Sequence, residues 1–367
     1  MSEFYSIDNQ LNTILSTLGW HGARIKFFVR LICALIKLQT ISYIKLSEGL
    51  GGKVKIESNL RRVQRFFAEF DLNLDTISTM VFTLLPLPKP YTLSMDRTNW
   101  KFGNLDFNIL TLSVCYQGVG IPLMWMMLPK KGNSNTNERK QQIGRYIRLF
   151  GADSIESLLA DREFIGKDWF AWLIGEKIKF HLRIKENMWI DVPGKGKVRA
   201  SWLFNNPQSP SHYPGIVRID GNELYLSGIK TVSKDGVAFV IIASYNREYD
   251  VLEKYRNRWQ IETMFKAFKS SGFNLEDTHL TDTGRLSKMI GVICVAFIWA
   301  YRAGIFRHEN EKPIRVLNNG RRAKSIFKYG LERLSNILLS LIYLADKEIN
   351  KIIDICQTFV MYLAKRH

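Results

Sequence analysis

The first part of the chain carries its apolar residues at the spacing of an amphipathic helix. Leu11, Ile14, Leu15 and Leu18 recur three and four positions apart, and strand-like alternation is scarce in the stretches that follow. Residues three and four apart share one face of a helix, so this spacing predicts a small helical domain. Three prolines between residues 86 and 90 predict its end.

Within this domain the pattern predicts two helices in succession. A short helix over residues 44–50 meets the glycine pair at 51–52, and Ser58 is placed to cap a second helix over residues 59–70. Two helices joined by a short glycine-containing turn resemble a helix-turn-helix, whose second helix docks on DNA.

The second of these helices carries three arginines, Arg61, Arg62 and Arg65. One interpretation is a face that binds DNA. The other is an ordinary solvated face on a helix that is buried through its apolar side, because many helices carry arginines without touching DNA. The sequence leaves both interpretations open.

From residue 91 the pattern changes to short β-rich runs that later alternate with helical stretches. The predicted strands lie at 91–96, 108–116, 121–128, 157–160, 179–184 and 238–244, and the predicted helices at 137–150, 167–176 and 249–271. Alternation of strands and helices predicts an α/β core. Glycine, proline and asparagine clusters with short alternating runs predict a β-rich insertion at about residues 187–236.

The remainder, residues 286–367, is predicted to be helical. Its most apolar run, residues 289–301, is shorter than the roughly 20 residues that a membrane-spanning helix needs, so it is interpreted as a buried core helix. The polar start of the chain lacks the form of a secretory signal, and a cytoplasmic protein without a membrane partner is expected.

The charge balance indicates a polyanionic partner. The chain has 52 Lys and Arg against 34 Asp and Glu, a formal net charge of +18. Double-stranded DNA is the favoured partner, with RNA or a membrane surface as alternatives at this point. The cysteines form no CxxC pair, the histidines show no HExxH spacing, and no GK[ST] phosphate loop occurs, which argues against zinc and ATP sites.

Two aspartates directly follow predicted strands. Asp96 ends the first core strand and Asp161 ends the strand at 157–160. The ligand crevice of an open α/β sheet lies at the carboxyl ends of its strands, so both carboxylates are predicted to converge there. Taken alone, each aspartate is more often a turn or cap residue.

A polar stripe is predicted on the helix over residues 249–271. At 100° per residue, Tyr255, Arg258, Glu262 and Lys269 fall on one face. The alternative is a solvated face in which Arg258 and Glu262 form an ordinary i,i+4 pair. The functional interpretation combines Glu262 with the two aspartates, because in-line phosphodiester chemistry uses two divalent ions held by hard carboxylate oxygens.

Together these motifs resemble the DDE transposases of the insertion-sequence-four (IS-four) family. The family signature Y-x2-R-x3-E-x6-K is matched by Tyr255, Arg258, Glu262 and Lys269, and the aspartates stand in the motifs Ser-Met-Asp-Arg-Thr and Leu-Ala-Asp-Arg-Glu-Phe. The resemblance implies an α/β, ribonuclease-H-like mixed sheet with a β-rich insertion, flanked by helical N- and C-terminal regions. It implies domains at 1–88, 89–285 and 286–367.

The resemblance also implies site roles and partners. Asp96, Asp161 and Glu262 would hold two Mg²⁺ ions, for which Mn²⁺ is expected to substitute, while Tyr255, Arg258 and Lys269 would bind DNA phosphates. Trp189 and Trp202 are candidates for an aromatic residue that stacks on a flipped base, although either could be an ordinary core or loop tryptophan.

The implied reaction is cut-and-paste transposition. Terminal inverted repeats and target DNA would be the substrates, the excised end would pass through a hairpin, and a homodimer with a contact in the helical C-terminal region would hold two DNA ends. Two alternatives remain open at the level of the sequence: a catalytically inactive, domesticated DNA-binding protein, and a nuclease of the same fold without strand transfer.

Overall fold

The computed structural model describes residues 20–51, 54–85, 87–205, 211–233 and 236–340. The chain forms two compact units, one of Met1–Leu85 with Lys266–His367 and the other of Pro86–Phe265. The first unit is helical and the second contains the sheet. The three-part division drawn from the sequence stays a prediction, and its last stretch, residues 341–367, lies outside the described residues.

The elements follow one another along the chain in an order close to the predicted one. The helices are α1 (Gly22–Leu38), α2 (Tyr43–Gly49), α3 (Ile56–Glu69), α4 (Leu74–Leu84), α5 (Thr136–Phe150), α6 (Lys167–Gly175), α7 (Val251–Arg256), α8 (Gln260–Phe268), α9 (Thr283–Phe306) and α10 (Ile326–Ser340). The strands are β1 (Tyr91–Phe102), β2 (Leu105–Tyr116), β3 (Val119–Met127), β4 (Ile155–Ala160), β5 (Phe180–Ile184), β6 (Trp189–Val192), β7 (Gly196–Arg199), β8 (Ser211–His212), β9 (Val217–Ile219), β10 (Asn222–Ser233) and β11 (Gly236–Ser244).

The helical unit is built on the apolar faces of its helices, while the stretch that carried the predicted spacing, residues 11–18, lies outside the described residues. Helix α3 buries Val63, Phe66 and Phe67, and the ring of Phe66 packs against that of Phe27 with centroids 5.2 Å apart. Helix α3 begins at Ile56 with Lys55 at the N-cap, so the prediction that Ser58 caps it is wrong. The start of the helix carries no side-chain cap, because the stability of a helix comes mainly from its packed apolar face, which here lies further along at Val63, Phe66 and Phe67.

Helix α9 contains the apolar run that was interpreted as a core helix, and the structure buries sixteen of its residues. By length and composition, the segment Thr283–Glu311 could cross a membrane, and 83% of its most apolar window is buried inside the protein. The bent pair α1 and α2 passes the same test when taken together. Helices of a soluble core share these properties, so the finding is weak evidence for a membrane span.

The second unit is organised around one mixed sheet. Its strand order is β3-β2-β1-β4-β5-β11-β10-β9-β6-β7, with β8 pairing β10. The first three strands are antiparallel, and β4 and β5 run parallel to β1. Three antiparallel strands followed by two parallel ones form the mixed sheet implied by the ribonuclease-H-like prediction, and the fold class is confirmed.

The β-rich insertion extends this sheet. Strands β6 to β10 come from the predicted insertion, and β10 joins them to the rest by antiparallel pairing with β11. Strand β11 pairs in turn with β5. The insertion is therefore continuous with the sheet that carries the aspartates.

Two local predictions near the aspartates are wrong. Asp96 lies inside β1, because that strand continues to Phe102 through its pairing with β2. The helix predicted over residues 249–271 is broken into α7 and α8 by a 3₁₀ turn at Asn257–Trp259.

Candidate active site

The two aspartates follow paired residues of two neighbouring parallel strands, Asp96 inside β1 and Asp161 directly after the end of β4. Met95 of β1 is paired with Ala160 of β4, and Asp96 and Asp161 are the next residues on each chain. Paired residues of adjacent strands share a face and lie about 5 Å apart in the backbone. The two carboxylates also repel each other, since Asp161 raises the pKa of Asp96.

Asp96 is a largely buried carboxylate. Burial raises its pKa to about 6, an effect opposed by the backbone N–H of Arg97 and by the charge of Arg258, and reinforced by Glu163 and Asp161. The Arg97 N–H donates to Asp96 Oδ1 at 2.7 Å. A buried acid beside other acids is stabilised by any cation brought close to it, which is the electrostatic condition of a metal site.

Arg258 joins the first and third predicted acids. Its Nη1 lies 3.3 Å from Asp96 Oδ2, and its Nη2 donates to Glu262 Oε1 at 2.7 Å. One guanidinium therefore separates the two carboxylates. The Arg258 side chain is only 11% exposed, so its pair with Glu262 differs from the solvent-exposed i,i+4 pair that was the alternative interpretation of this helix.

The 3₁₀ turn that carries Arg258 is attached to the sheet by two carbonyl groups. The Ser94 hydroxyl donates to the Arg258 carbonyl at 3.4 Å, and the Cys115 thiol donates to the Asn257 carbonyl at 3.3 Å. In a regular helix these carbonyls would accept N–H groups four residues further on. These side-chain contacts occur at the 3₁₀ turn that separates α7 from α8. This turn determines where the Arg258 and Glu262 side chains point.

A glycine on β3 lets the start of α8 approach the sheet. A Cβ at Gly120 would stand 2.9 Å from the Ile261 Cα, 3.0 Å from the Gln260 carbonyl oxygen and 3.0 Å from the Ser113 hydroxyl. Two of these three neighbours are backbone atoms, which cannot move without moving α8 and hence Glu262.

Replacing Gly120 with Ala is therefore expected to destabilise the protein by about 1–3 kcal/mol through overpacking. Thermal or urea unfolding measures the change. Gly144→Ala in α5 is the matched control, because a Cβ there meets only Arg148 Nη1, at 3.9 Å. That control should stabilise the helix by about 0.5–1 kcal/mol; equal effects of both changes would contradict the close approach.

Tyr255 lies beside the acids, whereas Lys269 belongs to the helical unit. The Tyr255 side chain is buried, and its hydroxyl finds no hydrogen-bond partner among the described residues. Burial raises its pKa, with Asp161 and Asp96 adding to the rise and Arg258 opposing it. Lys269 lies beyond the end of α8 and pairs with Glu276 at 2.6 Å. The phosphate-binding roles of both residues stay predictions.

A second ion pair, missed in the sequence analysis, connects the two aspartate motifs. Arg97 Nε and Nη2 donate to the two carboxylate oxygens of Glu163 at 2.7 and 2.9 Å, and Arg97 Nη1 donates to Asn108 at 2.7 Å. Arg97 directly follows Asp96, and Glu163 stands two residues after Asp161. This bidentate pair positions the chain segments that carry both aspartates. The only feature of the sequence that could have predicted the pair is the presence of opposite charges in the two aspartate motifs.

A basic cleft next to Asp161 was also missed. It has a volume of about 380 Å³ and is lined by Arg162, Arg183 and Lys185, with Glu186 as its acidic residue. Arg183 follows Leu182, the partner of Ala160 in the parallel pairing of β4 and β5, so it stands next to Asp161. Three cations beside the acids could hold phosphate groups. The positions of these three residues along the chain match no sequence motif, so the sequence analysis could not predict the cleft.

The predicted DNA-binding arginines of α3 face different surroundings. Arg61 and Arg65 line a pocket of about 560 Å³ that also contains Arg285. Arg62 lies over the ring of Phe27 at 5.7 Å and is not among the residues that line this pocket. The helix-turn-helix interpretation and the DNA contacts of these arginines stay predictions.

The two candidate tryptophans are both exposed, at 58% for Trp189 and 55% for Trp202. The guanidinium of Arg199 lies 5.2 Å from the Trp189 ring centre, and Lys195 Nζ lies 5.3 Å from that of Trp202. Neither belongs to the core. Stacking on a flipped base stays a prediction for both.

The donor set fits a divalent cation at the aspartates. Asp96 and Asp161 offer hard carboxylate oxygens, which suit a divalent cation. Burial, and then the charges of Glu163 and Asp161, raise the pKa of Asp96, so a cation placed nearby would stabilise its ionised form. Within the described part of the chain, no three Asp, Glu, His or Cys side chains are grouped closely enough to hold one metal ion. Glu262, bound to Arg258, therefore remains a predicted ligand.

The family of the chain follows from comparison with known proteins. Residues 83–299 match the family model described as "Transposase DDE domain". The chain belongs to the DDE transposases. The match covers more than half of the sequence and contains Asp96, Asp161 and Glu262, so this enzyme is a transposase; the IS-four assignment within the family is finer than the match shows.

This DDE transposase is also similar to a solved structure, the cryo-EM structure of a piggyBac transposase synaptic complex with hairpin DNA. The sequence identity is 13%, the TM-score is 0.46, and the similarity covers 91% of this chain and 76% of that one. No curated protein matches the chain.

Proposed function

We propose that this transposase cuts the ends of a DNA element and joins them to target DNA, as an enzyme of the IS-four type. The single observation that carries the proposal is the arrangement of the acids. Asp96 and Asp161 each directly follow one member of the pair formed by Met95 of β1 and Ala160 of the parallel strand β4, and Arg258 connects Asp96 to Glu262. These contacts support a site that draws on three carboxylates distant in sequence, with Arg258 linking the first acid to the third.

Asp96, Asp161 and Glu262 are the residues that would hold two Mg²⁺ ions, with Mn²⁺ as a substitute. Bound there, the ions supply activation of the attacking oxygen and stabilisation of the leaving oxygen in an in-line displacement. The chain contributes fixed positions: Arg97 and Glu163 brace the two aspartate segments, and Gly120 lets α8 lie against β3.

The cations around the acids would bind and orient the DNA backbone. Arg258 places a bidentate donor among the carboxylates, and Arg162, Arg183 and Lys185 provide further positive charge beside Asp161. Inverted repeats at the element's ends and target DNA are the proposed substrates. A homodimer that holds two ends, and excision through a hairpin, belong to the same proposal.

A strand-joining assay tests the proposal directly. A precut DNA end with a free 3′-hydroxyl, incubated with the enzyme, Mg²⁺ and target plasmid, should give joined product. Asp161→Asn should lower the yield by about three orders of magnitude, because the chemistry needs the carboxylate. Cleavage without joining would favour the nuclease alternative, and binding of ends without either reaction would favour the inactive DNA-binding protein.

A further inference from the structure

A loop of the helical unit concentrates positive charge without any acid. Residues 312–331 contain six Lys and Arg and neither Asp nor Glu. We define residues 312–324, between α9 and α10, as the basic loop. All its cationic side chains are exposed, namely Lys312, Arg315, Arg321, Arg322 and Lys324.

The basic loop folds back on itself as a short hairpin. Val316 and Arg322 form an antiparallel bridge. The Leu317 N–H donates to the Arg321 carbonyl at 2.7 Å, and the Ala323 N–H donates to the Arg315 carbonyl at 2.8 Å. Gly320 makes the turn at φ 76°, a left-handed conformation that favours glycine.

The base of this hairpin is held by buried and bonded groups. Ile314 is only 5% exposed, and its N–H donates to His308 Nδ1 at 2.8 Å. The Tyr329 hydroxyl donates to the Lys312 carbonyl, also at 2.8 Å. A backbone fixed in this way loses little conformational entropy when its side chains bind a partner.

Three arginines of the basic loop pair with no acid in the described part of the chain. Lys324 pairs with Glu332 at 2.5 Å, and the neighbouring Arg333 pairs with Glu311 at 3.1 Å. Among the residues that the structure describes, Arg315, Arg321 and Arg322 form no ion pair. Adjacent, unneutralised guanidinium groups on a fixed hairpin repel one another, and a polyanion removes this repulsion.

We propose that the basic loop binds the phosphate backbone of double-stranded DNA. The proposal rests on the proposed function, which supplies DNA as the substrate. A guanidinium group can donate two parallel hydrogen bonds to the oxygens of one phosphate. Two-stranded β-ribbons are also among the elements that proteins place in DNA grooves. Val316, at 60% exposure, is the one large apolar side chain that the hairpin exposes, so its surface chemistry fits a polyanion better than an apolar protein surface.

The salt dependence of DNA binding tests this surface. Fluorescence anisotropy with a labelled duplex of arbitrary sequence gives Kd at several salt concentrations for the full chain and for Arg321→Gln/Arg322→Gln. We expect the slope of log K against log salt to fall by about 2, and the affinity to fall by about 10- to 30-fold near 0.15 M salt. The loss should be the same for unrelated duplex sequences.

Two controls keep the outcome interpretable. Lys101→Gln/Lys131→Gln removes the same charge from lysines that pair with Asp106, and it should leave the slope unchanged. Arg321→Lys/Arg322→Lys keeps the charge and should keep most of the slope. An unchanged slope in the arginine-to-glutamine variant, or an equal drop in the lysine control, would overturn the proposal.

The outcomes also separate this inference from the proposed function. A parent enzyme that neither binds nor cuts DNA contradicts the proposed function. A parent that binds and cuts, together with a loop variant that binds equally well, contradicts only the role of the basic loop.

Discussion

Replacing Asp96 with Asn is expected to reduce Mg²⁺-dependent cleavage of DNA ends by at least about three orders of magnitude. Asn keeps the size of the side chain and can still accept the Arg97 N–H at Asp96 Oδ1, but it removes the negative charge that would hold a metal ion. Losing a metal ligand at the reacting phosphate should lower the rate of cleavage, while the phosphate contacts elsewhere on the protein still bind the duplex. The measurement is the rate of cleavage of labelled DNA ends together with the affinity for the same duplex, and we expect the rate to fall while the affinity is retained.

Asp106→Asn is the matched control for this change. Asp106 is an acid of the same sheet, on β2, and pairs with Lys101 and Lys131 at the surface. It should cut at nearly the parental rate, since exposed pairs contribute about 0–1 kcal/mol to stability. Parental cutting by Asp96→Asn would remove Asp96 from the chemistry and, with it, the proposed metal site.

Replacing Arg258 with Gln is expected to lower the free energy of unfolding by about 3 kcal/mol. The Arg258 guanidinium is a direct counter-charge to both Asp96 and Glu262, and removing one partner of a buried pair leaves uncompensated charge behind. We take the lower end of the usual range because the Glu262 side chain is 34% exposed. Urea denaturation at neutral pH measures the loss, and cleavage should fall with it.

Arg218→Gln provides the comparison for Arg258. Arg218 pairs with Glu223 at 3.0 Å, and both side chains are more than half exposed. Removing this surface pair should change the stability by less than about 1 kcal/mol. Similar losses in the two variants would show that Arg258 is solvated like any surface arginine, as the alternative interpretation of its helix supposed.

The extent of β1 shows why the sequence misplaced Asp96 within its strand. The residues after Asp96 are polar and resemble a turn, and the apolar pattern of the strand stops there. In the structure, β2 continues to pair with β1 as far as Phe102 and Leu105. Strand length is set here by the hydrogen bonds of a neighbour, which a period-two pattern within one segment does not record.

The break between α7 and α8 has a similar origin. The apolar spacing of residues 249–271 is continuous, so it predicted one helix and one polar stripe. The carbonyls of Asn257 and Arg258 take part in the turn through the Gln260 N–H, and they also accept bonds from Cys115 and Ser94, residues that lie 142 and 164 positions away in sequence. Such long-range contacts override a local preference that is worth only tenths of a kcal/mol per residue.

The sequence by itself determined the order of most strands and helices, the apolar face of the helix over residues 59–70, and the acids whose chemistry suits a divalent ion. Side-chain periodicity and residue type carry this information locally. Only the tertiary structure decided which strands lie side by side. The fold brought Arg97 to Glu163 across 66 residues and Arg258 to Asp96 across 162 residues. The periodicity of a segment indicates which face a residue occupies, but the packing of the whole sheet decides which residue lies beside it on the next strand.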